Sequence, residues 1–231
     1  MPGRTAQLNA HLIMLCKRVG VNPNGENRVR LQIGGTDPGR PGEPRRAFAS
    51  LHGRLQPEVE VPQVIDVRQL AATDDATAAG RLVQEAYFAV AGYPRDAAYD
   101  AVLGDVAGRA QHATVVVAVD ADARVLGCLT YVPDAANPYA EHGDAQAASF
   151  RCFGVARAAQ GMGVGRAMAE WCVAEARRTG KTRLRIHTLT MMHGAQCLYE
   201  SMGFQRDPRH DADWDGTIGL AYVLHLGPAQ E

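Results

Sequence analysis

Residues 160 to 166 read Gln-Gly-Met-Gly-Val-Gly-Arg. Three alternating glycines strip Cβ atoms from the mouth of a helix. The backbone N–H groups exposed there, with the helix dipole behind them, favour an anion. The chemistry this spacing supports is the cradling of a phosphate. A Walker loop is excluded, because Arg166-Ala167 stand where Lys and then Ser or Thr are required. A nicotinamide fingerprint fails as well: Arg166 takes the place of its third glycine, and the next strand closes on Thr188-Leu189-Thr190 without an acidic residue.

Two elements must hold this loop. Before it, Phe150, Cys152, Phe153 and Val155 make a short apolar strand. Behind it, Val164, Ala167, Met168, Trp171, Cys172 and Ala176 recur at the spacing of a helix that buries one face. The order is strand, glycine turn, helix.

Gln160-x-x-Gly163-x-Gly165 resembles the pyrophosphate loop of the GCN5-related N-acetyltransferases (GNAT), which holds acetyl-coenzyme A. Downstream, after one further strand, Met192-x-x-Ala195-x-x-Leu198-Tyr199-Glu200-x-x-Gly203-Phe204 is similar to the family's second signature. The resemblance extends over roughly residues 64–227. Asp213-Trp214 and Leu220 to Leu224 add a likeness to a bacterial subgroup whose acceptors are mostly unassigned. It implies an α/β chain with the GNAT fold: a mixed, mostly antiparallel sheet, helices on both faces and splayed central strands.

The rest of the chain fits that frame. Val64 to Leu70 reads as a first strand, and Thr73-Asp74-Asp75 offers an N-cap to a helix running to about Val90. A second helix is expected from Asp96 to Arg109. Thr114 to Val119 and Val125 to Val132 form a hairpin, followed by the central strand from about Ala147 to Val155. Leu184 to Leu189, a helix from His193 to Met202, and a closing strand from Ile218 to Leu226 complete the domain. Residues 62–228 are therefore expected to be the acetyltransferase domain. Residues 1–61 carry clusters of Pro, Gly and Arg, with nine basic against five acidic residues. They read as a disordered or weakly ordered extension.

With 24 basic and 25 acidic side chains the net charge is −1, which gives no case for a nucleic-acid partner. No apolar run is long enough to span a membrane. The five cysteines (16, 128, 152, 172 and 197) show neither CxxC nor CxxH spacing, so neither a disulfide framework nor a metal site is indicated. A reducing, cytoplasmic setting is expected.

The resemblance also implies roles. Acetyl-CoA would be the co-substrate. Backbone N–H groups of Phe153, Gly154 and Val155 would bind its pantetheine arm and polarise the acetyl carbonyl. Gln160, Gly161, Met162, Gly163, Val164, Gly165 and Arg166 would hold its pyrophosphate. Tyr199 matches the family tyrosine that protonates the leaving thiolate, a fair match for a phenol of pKa about 10. The base departs from the family: a glutamate is commonly found where Ala148 and Ser149 stand. Glu141 and His142 are the catalytic candidates in its place, with Asp144, His187 and His193 nearby. The expected activity is transfer of an acetyl group to the amine of a small molecule or peptide by direct attack in a ternary complex; a homodimer is compatible with it. The alternative is a non-catalytic acyl-CoA-binding sensor.

Overall fold

The computed structural model describes residues 17–21, 25–33 and 63–227. Among these residues ten strands lie in the order β1-β2-β3-β4-β5-β6-β7-β10-β8, with β9 paired to β10. They are β1 (Lys17–Val21), β2 (Asn27–Ile33), β3 (Gln63–Gln69), β4 (Thr114–Val119), β5 (Val125–Val132), β6 (Ala147–Val155), β7 (Arg183–Leu189), β8 (Gln205–Arg206), β9 (Ala212–Trp214) and β10 (Thr217–His225). Every pairing is antiparallel except β6 with β7. That parallel pair is in register only at Ala147–Arg183 and Ala148–Leu184. Beyond those two positions the strands separate, which is the splay expected of the fold.

Helices cover both faces. On one side lies α4 (Val164–Arg178), whose Ala167, Met168, Trp171, Cys172 and Ala176 are fully buried against Val29, Val67, Leu129, Phe150 and Ile186. On the other, α1 (Ala76–Phe88) packs Ala79 and Val83 against Val115, Val117, Cys128 and Cys152. Asp75 caps α1, its side chain accepting from the Ala78 N–H at 2.8 Å. The helix expected from Asp96 to Arg109 is two: α2 (Ala97–Gly104) and α3 (Val106–Ala110). Asp105 ends the first and caps the second through Gly108 N–H at 2.8 Å, as short polar residues do when they outcompete the helix ladder. The last helix is α5 (His193–Ser201).

The sheet reaches into the stretch expected to be an extension. β1 and β2 pair with each other, and β2 pairs with β3. Val29 and Leu31 are fully buried, and Asn27 and Trp171 exchange two hydrogen bonds: Asn27 Nδ2 to the Trp171 carbonyl (2.9 Å) and Trp171 Nε1 to the Asn27 carbonyl (2.8 Å). Apolar side chains alternating along β2 supply a face that α4 needs covered, so these residues are part of the packed sheet. Among the described residues, no helix is long and apolar enough to cross a membrane.

Candidate active site

β6 ends at Val155 and turns through a short 3₁₀ segment, Arg157–Ala159, into the glycine loop. Gln160 Nε2 donates to the Val155 carbonyl at 3.2 Å and ties the loop back to the strand. Gly161 (φ 79°) and Gly163 (φ 83°) both take the left-handed conformation that a Cβ disfavours. Gly163 is the N-cap of α4 and brings no side-chain cap. The helix ladder starts with Ala167 N–H to the Gly163 carbonyl at 3.0 Å. The N–H groups of Val164, Gly165 and Arg166 therefore precede the ladder and have no acceptor within the helix. A Cβ on Gly165 would lie 3.5–3.7 Å from Leu198, Phe153 and Val155, so the protein has room for one there. Arg166 Nη2 donates to Ser201 Oγ at 2.6 Å, which fixes its guanidinium against α5.

The strand leading to the loop carries a bulge. The β5–β6 register passes from Cys128–Gly154 to Thr130–Arg151, so Cys152 and Phe153 together oppose Leu129. Cys152 has φ 48°, an unfavourable region for a side chain with a Cβ and one that recurs at functional sites. The extra residue redirects the strand. Phe150 packs on the α4 side, Cys152 is buried on the α1 side, and Phe153 and Val155 return to the α4 side. Arg151 and Phe153 thus both reach the opening between β6 and β7.

That opening is one cleft of about 1290 Å³. One end is walled by the loop residues Gln160, Gly161, Gly163, Gly165 and Arg166, and the middle by Phe153, Val155, Leu198 and Tyr199. At the other end are Tyr93 and Tyr99 from the α1–α2 region, Trp214, and the polar group Glu141, Arg151 and His187.

The polar group is an ordered triad. Arg151 Nη2 lies 3.0 Å from Glu141 Oε1, and His187 Nδ1 lies 3.4 Å from Glu141 Oε2. His187 Nε2 lies 2.8 Å from the His210 carbonyl, which can only accept, so the proton of the neutral ring resides on Nε2 and Nδ1 is the titrating atom. Burial pulls the His187 pKa down, but the Glu141 contact and the His210 carbonyl outweigh it and the net shift is upward. Burial pushes the Glu141 carboxyl up, but His187 and Arg151 hold it below the usual carboxylate range. Tyr199, 5% exposed, has its phenol raised above the ordinary value by burial and remains neutral. Its ring packs on Phe150 (5.8 Å) and Phe204 (5.6 Å).

Most of the residues expected from the sequence meet in the cleft: Tyr199, Glu141, Phe153, Val155, Gln160, Gly161, Gly163, Gly165 and Arg166 line it. Val164 is fully buried in the core, and Met162 packs against that core. Gly154 faces α1, where an added Cβ would sit 2.9 Å from Val83 Cα. His142 is not among the cleft-lining side chains; its Nδ1 accepts from Asp144 N–H at 3.3 Å, and burial lowers its pKa. Asp144 is bound to Arg183 (2.8 Å) and Arg185 (3.0 Å). Arg151 and Trp214 join the site without having been singled out for it. Arg151 follows Phe150 directly, and its charge on a strand otherwise apolar was the available signal.

This arrangement is an α/β fold in which an uncapped, glycine-lined helix mouth, suited to an anion, opens onto the gap between two splayed strands. Residues 111–206 match the family model of an acetyltransferase (GNAT) domain. A GCN5-related N-acetyltransferase from Kribbella flavida is 27% identical, with 70% of this chain and 98% of that one covered and a TM-score of 0.53. Two more distant structures share the fold. One is yncA from Salmonella typhimurium with its cofactor acetyl-CoA (19% identity, 72% and 96% covered, TM-score 0.52). The other is the ribosomal-protein-S18-alanine N-acetyltransferase from Escherichia coli (19%, 72% and 97%, TM-score 0.51). No curated protein sequence matches the chain. The match of residues 111–206 to an acetyltransferase (GNAT) domain, in a chain with the fold of these structures, identifies the protein as an acyltransferase.

Proposed function

We propose that the protein moves an acetyl group from acetyl-CoA to the amine of a small molecule or peptide, by direct attack while both are held in one cleft. The observation that carries this reading is the continuity of the cleft from the helix mouth at Gly163–Arg166 to the Glu141–His187 pair. The free N–H groups at the mouth suit a diphosphate. The gap between β6 and β7 suits an extended arm, and its walls at Phe153, Val155 and Leu198 are apolar. The carrier supplies an acyl group already activated as a thioester.

What remains is done by side chains of this protein. The Glu141–His187 pair takes the proton of the attacking amine, which reaches the Glu141 carboxylate and comes to rest on His187 Nδ1, where that carboxylate stabilises the imidazolium. Arg151 holds Glu141 in place and ionised. Tyr199, neutral through burial, donates its hydroxyl proton to the departing sulfur. Direct transfer is favoured over a covalent enzyme intermediate because, among the described residues, no cysteine or serine lines the cleft.

The test is calorimetry with acetyl-CoA, followed by thiol release across a panel of amines and peptides. Uptake of acetyl-CoA with acceptor-dependent thiol release is expected. Uptake with no release for any acceptor would favour the acyl-CoA sensor instead, and no uptake would remove the assignment.

A further inference from the structure

Resting on the acetyl-transfer reading, we infer that Trp214 is the platform for the acceptor, and that the acceptor is an amine attached to a planar apolar group, an arylalkylamine. Trp214 is a large side chain left 42% exposed on the cleft wall. It is also held in place. The β9–β10 hairpin closes through Asp215 (φ 52°) and Gly216 (φ 86°), and Asp213 Oδ1 accepts from Gly216 N–H at 2.7 Å. The indole rests on Gly219 of β10, where a Cβ would lie 2.5 Å from its ring carbons. Its other neighbour is His187, edge to face at 5.6 Å and 72°. The hairpin thus presents an indole to the cleft beside the group that would take the amine's proton.

The same end of the cleft is lined by Tyr93 and Tyr99. Aromatic walls reward a planar apolar body, through area and through offset or edge-to-face ring contacts. The charges there do not suit a polycation. Of the three carboxylates that line the cleft among the described residues, Glu141 is engaged by Arg151 and His187, and Asp96 caps α2 by accepting from Tyr99 N–H at 2.6 Å. Asp215 alone, in the turn beside the indole, is left for a second ammonium. Arg95 at the rim is likewise engaged, with Asp100 at 2.6 Å and over the Phe88 ring at 3.5 Å. One amine, placed at His187 and carried on a ring that stacks against Trp214, satisfies this end.

The experiment compares 2-phenylethylamine and tryptamine with spermidine and an alanyl peptide, by thiol release from acetyl-CoA, in the native protein, Trp214→Ala and Trp214→Phe. The expected result is a kcat/KM for the arylalkylamines at least about tenfold above the others. Trp214→Ala should raise their KM by about tenfold, with kcat and the Kd for acetyl-CoA unchanged, and Trp214→Phe should restore most of the loss. The unchanged coenzyme Kd serves as the control for folding. Preference for spermidine or the peptide, no turnover of either arylalkylamine, or an equal loss for all acceptors in Trp214→Ala overturns the inference. In each of these some acceptor still releases thiol from acetyl-CoA, whereas failure of the underlying reading shows as no release for any acceptor or as no uptake of acetyl-CoA at all.

Discussion

His187 Nδ1 and Glu141 Oε2 face each other at 3.4 Å, while the other imidazole nitrogen is committed to the His210 carbonyl. The carboxylate therefore acts on the one ring atom that can gain or lose a proton. Because it stabilises the imidazolium, the His187 pKa lies above the ordinary histidine value of 6.5. If His187 must be neutral to accept the amine's proton, activity falls as pH drops through that raised value. The acid limb of kcat/KM should thus lie above pH 6.5 in the native enzyme and move down in Glu141→Gln, which keeps the shape but removes the charge. Steady-state rates from pH 5 to 9 check this, and a limb unmoved by the substitution would detach Glu141 from the base.

The same pair makes a separate prediction for stability. A raised His187 pKa contributes stability that is fully present below its unfolded value near 6.5 and is lost as pH rises through the folded value. A lowered Glu141 pKa contributes stability present above its unfolded value near 4.5 and lost as pH falls through the folded value. Both terms operate between about pH 4.5 and 6.5. The difference in Tm between the native protein and Glu141→Gln should be widest in that window and narrow on either side, as thermal melts across pH would show.

Tyr199→Phe removes one hydroxyl and keeps the ring that packs on Phe150 and Phe204. If the phenol is the acid for the departing sulfur, kcat should fall by about 10²–10⁴-fold with little change in the KM for acetyl-CoA. An unchanged kcat on a good acceptor would reduce Tyr199 to a packing residue.

The two loop glycines should fail differently. Gly163 is left-handed at φ 83°, so Gly163→Ala strains the backbone by roughly 1–2 kcal/mol and should lower Tm before any ligand is added. Gly165 has ordinary helical geometry and room for a Cβ at 3.5–3.7 Å from its neighbours. Gly165→Ala should melt like the native protein yet bind acetyl-CoA at least about tenfold more weakly, about 1.4 kcal/mol, because the added methyl enters the cleft. Calorimetry and melts on both variants separate the two effects.

The helix mouth was legible because its signals are local: three alternating glycines and a 3.6-residue apolar period lie within one stretch from 160 to 176. The break at Asp105 was also written locally, as a short polar side chain after Gly104, but the apolar spacing of Val102, Leu103 and Val106 ran across it and hid the cap. Other features depend on distance. Glu141, Arg151 and His187 come from a loop and two strands, and only the sheet order β5-β6-β7 brings them together. The bulge at Cys152 has no glycine to announce it. Pro- and Gly-rich neighbours conceal β2, although Val29, Leu31 and Ile33 alternate with Arg28, Arg30 and Gln32 in strand rhythm.

β2 also yields the test of where the domain begins. If it were a dispensable extension, removing it would leave the fold unchanged. It covers α4 instead: Leu31 is fully buried, and Asn27 and Trp171 lock the two elements with reciprocal bonds of 2.9 and 2.8 Å across 144 residues of sequence. Leu31→Ala should cost about 2–5 kcal/mol, the usual range for emptying a leucine site in a core. Asn27→Ala should cost about 1–3 kcal/mol, since the Trp171 carbonyl loses its buried donor. Urea denaturation should show both losses as lower midpoints with unchanged slope. Deletion of residues 1–33 should exceed either, because it uncovers the α4 face on which Trp171 and Met168 are buried. A deletion variant as stable as the full chain would return β2 to the status of an appendage.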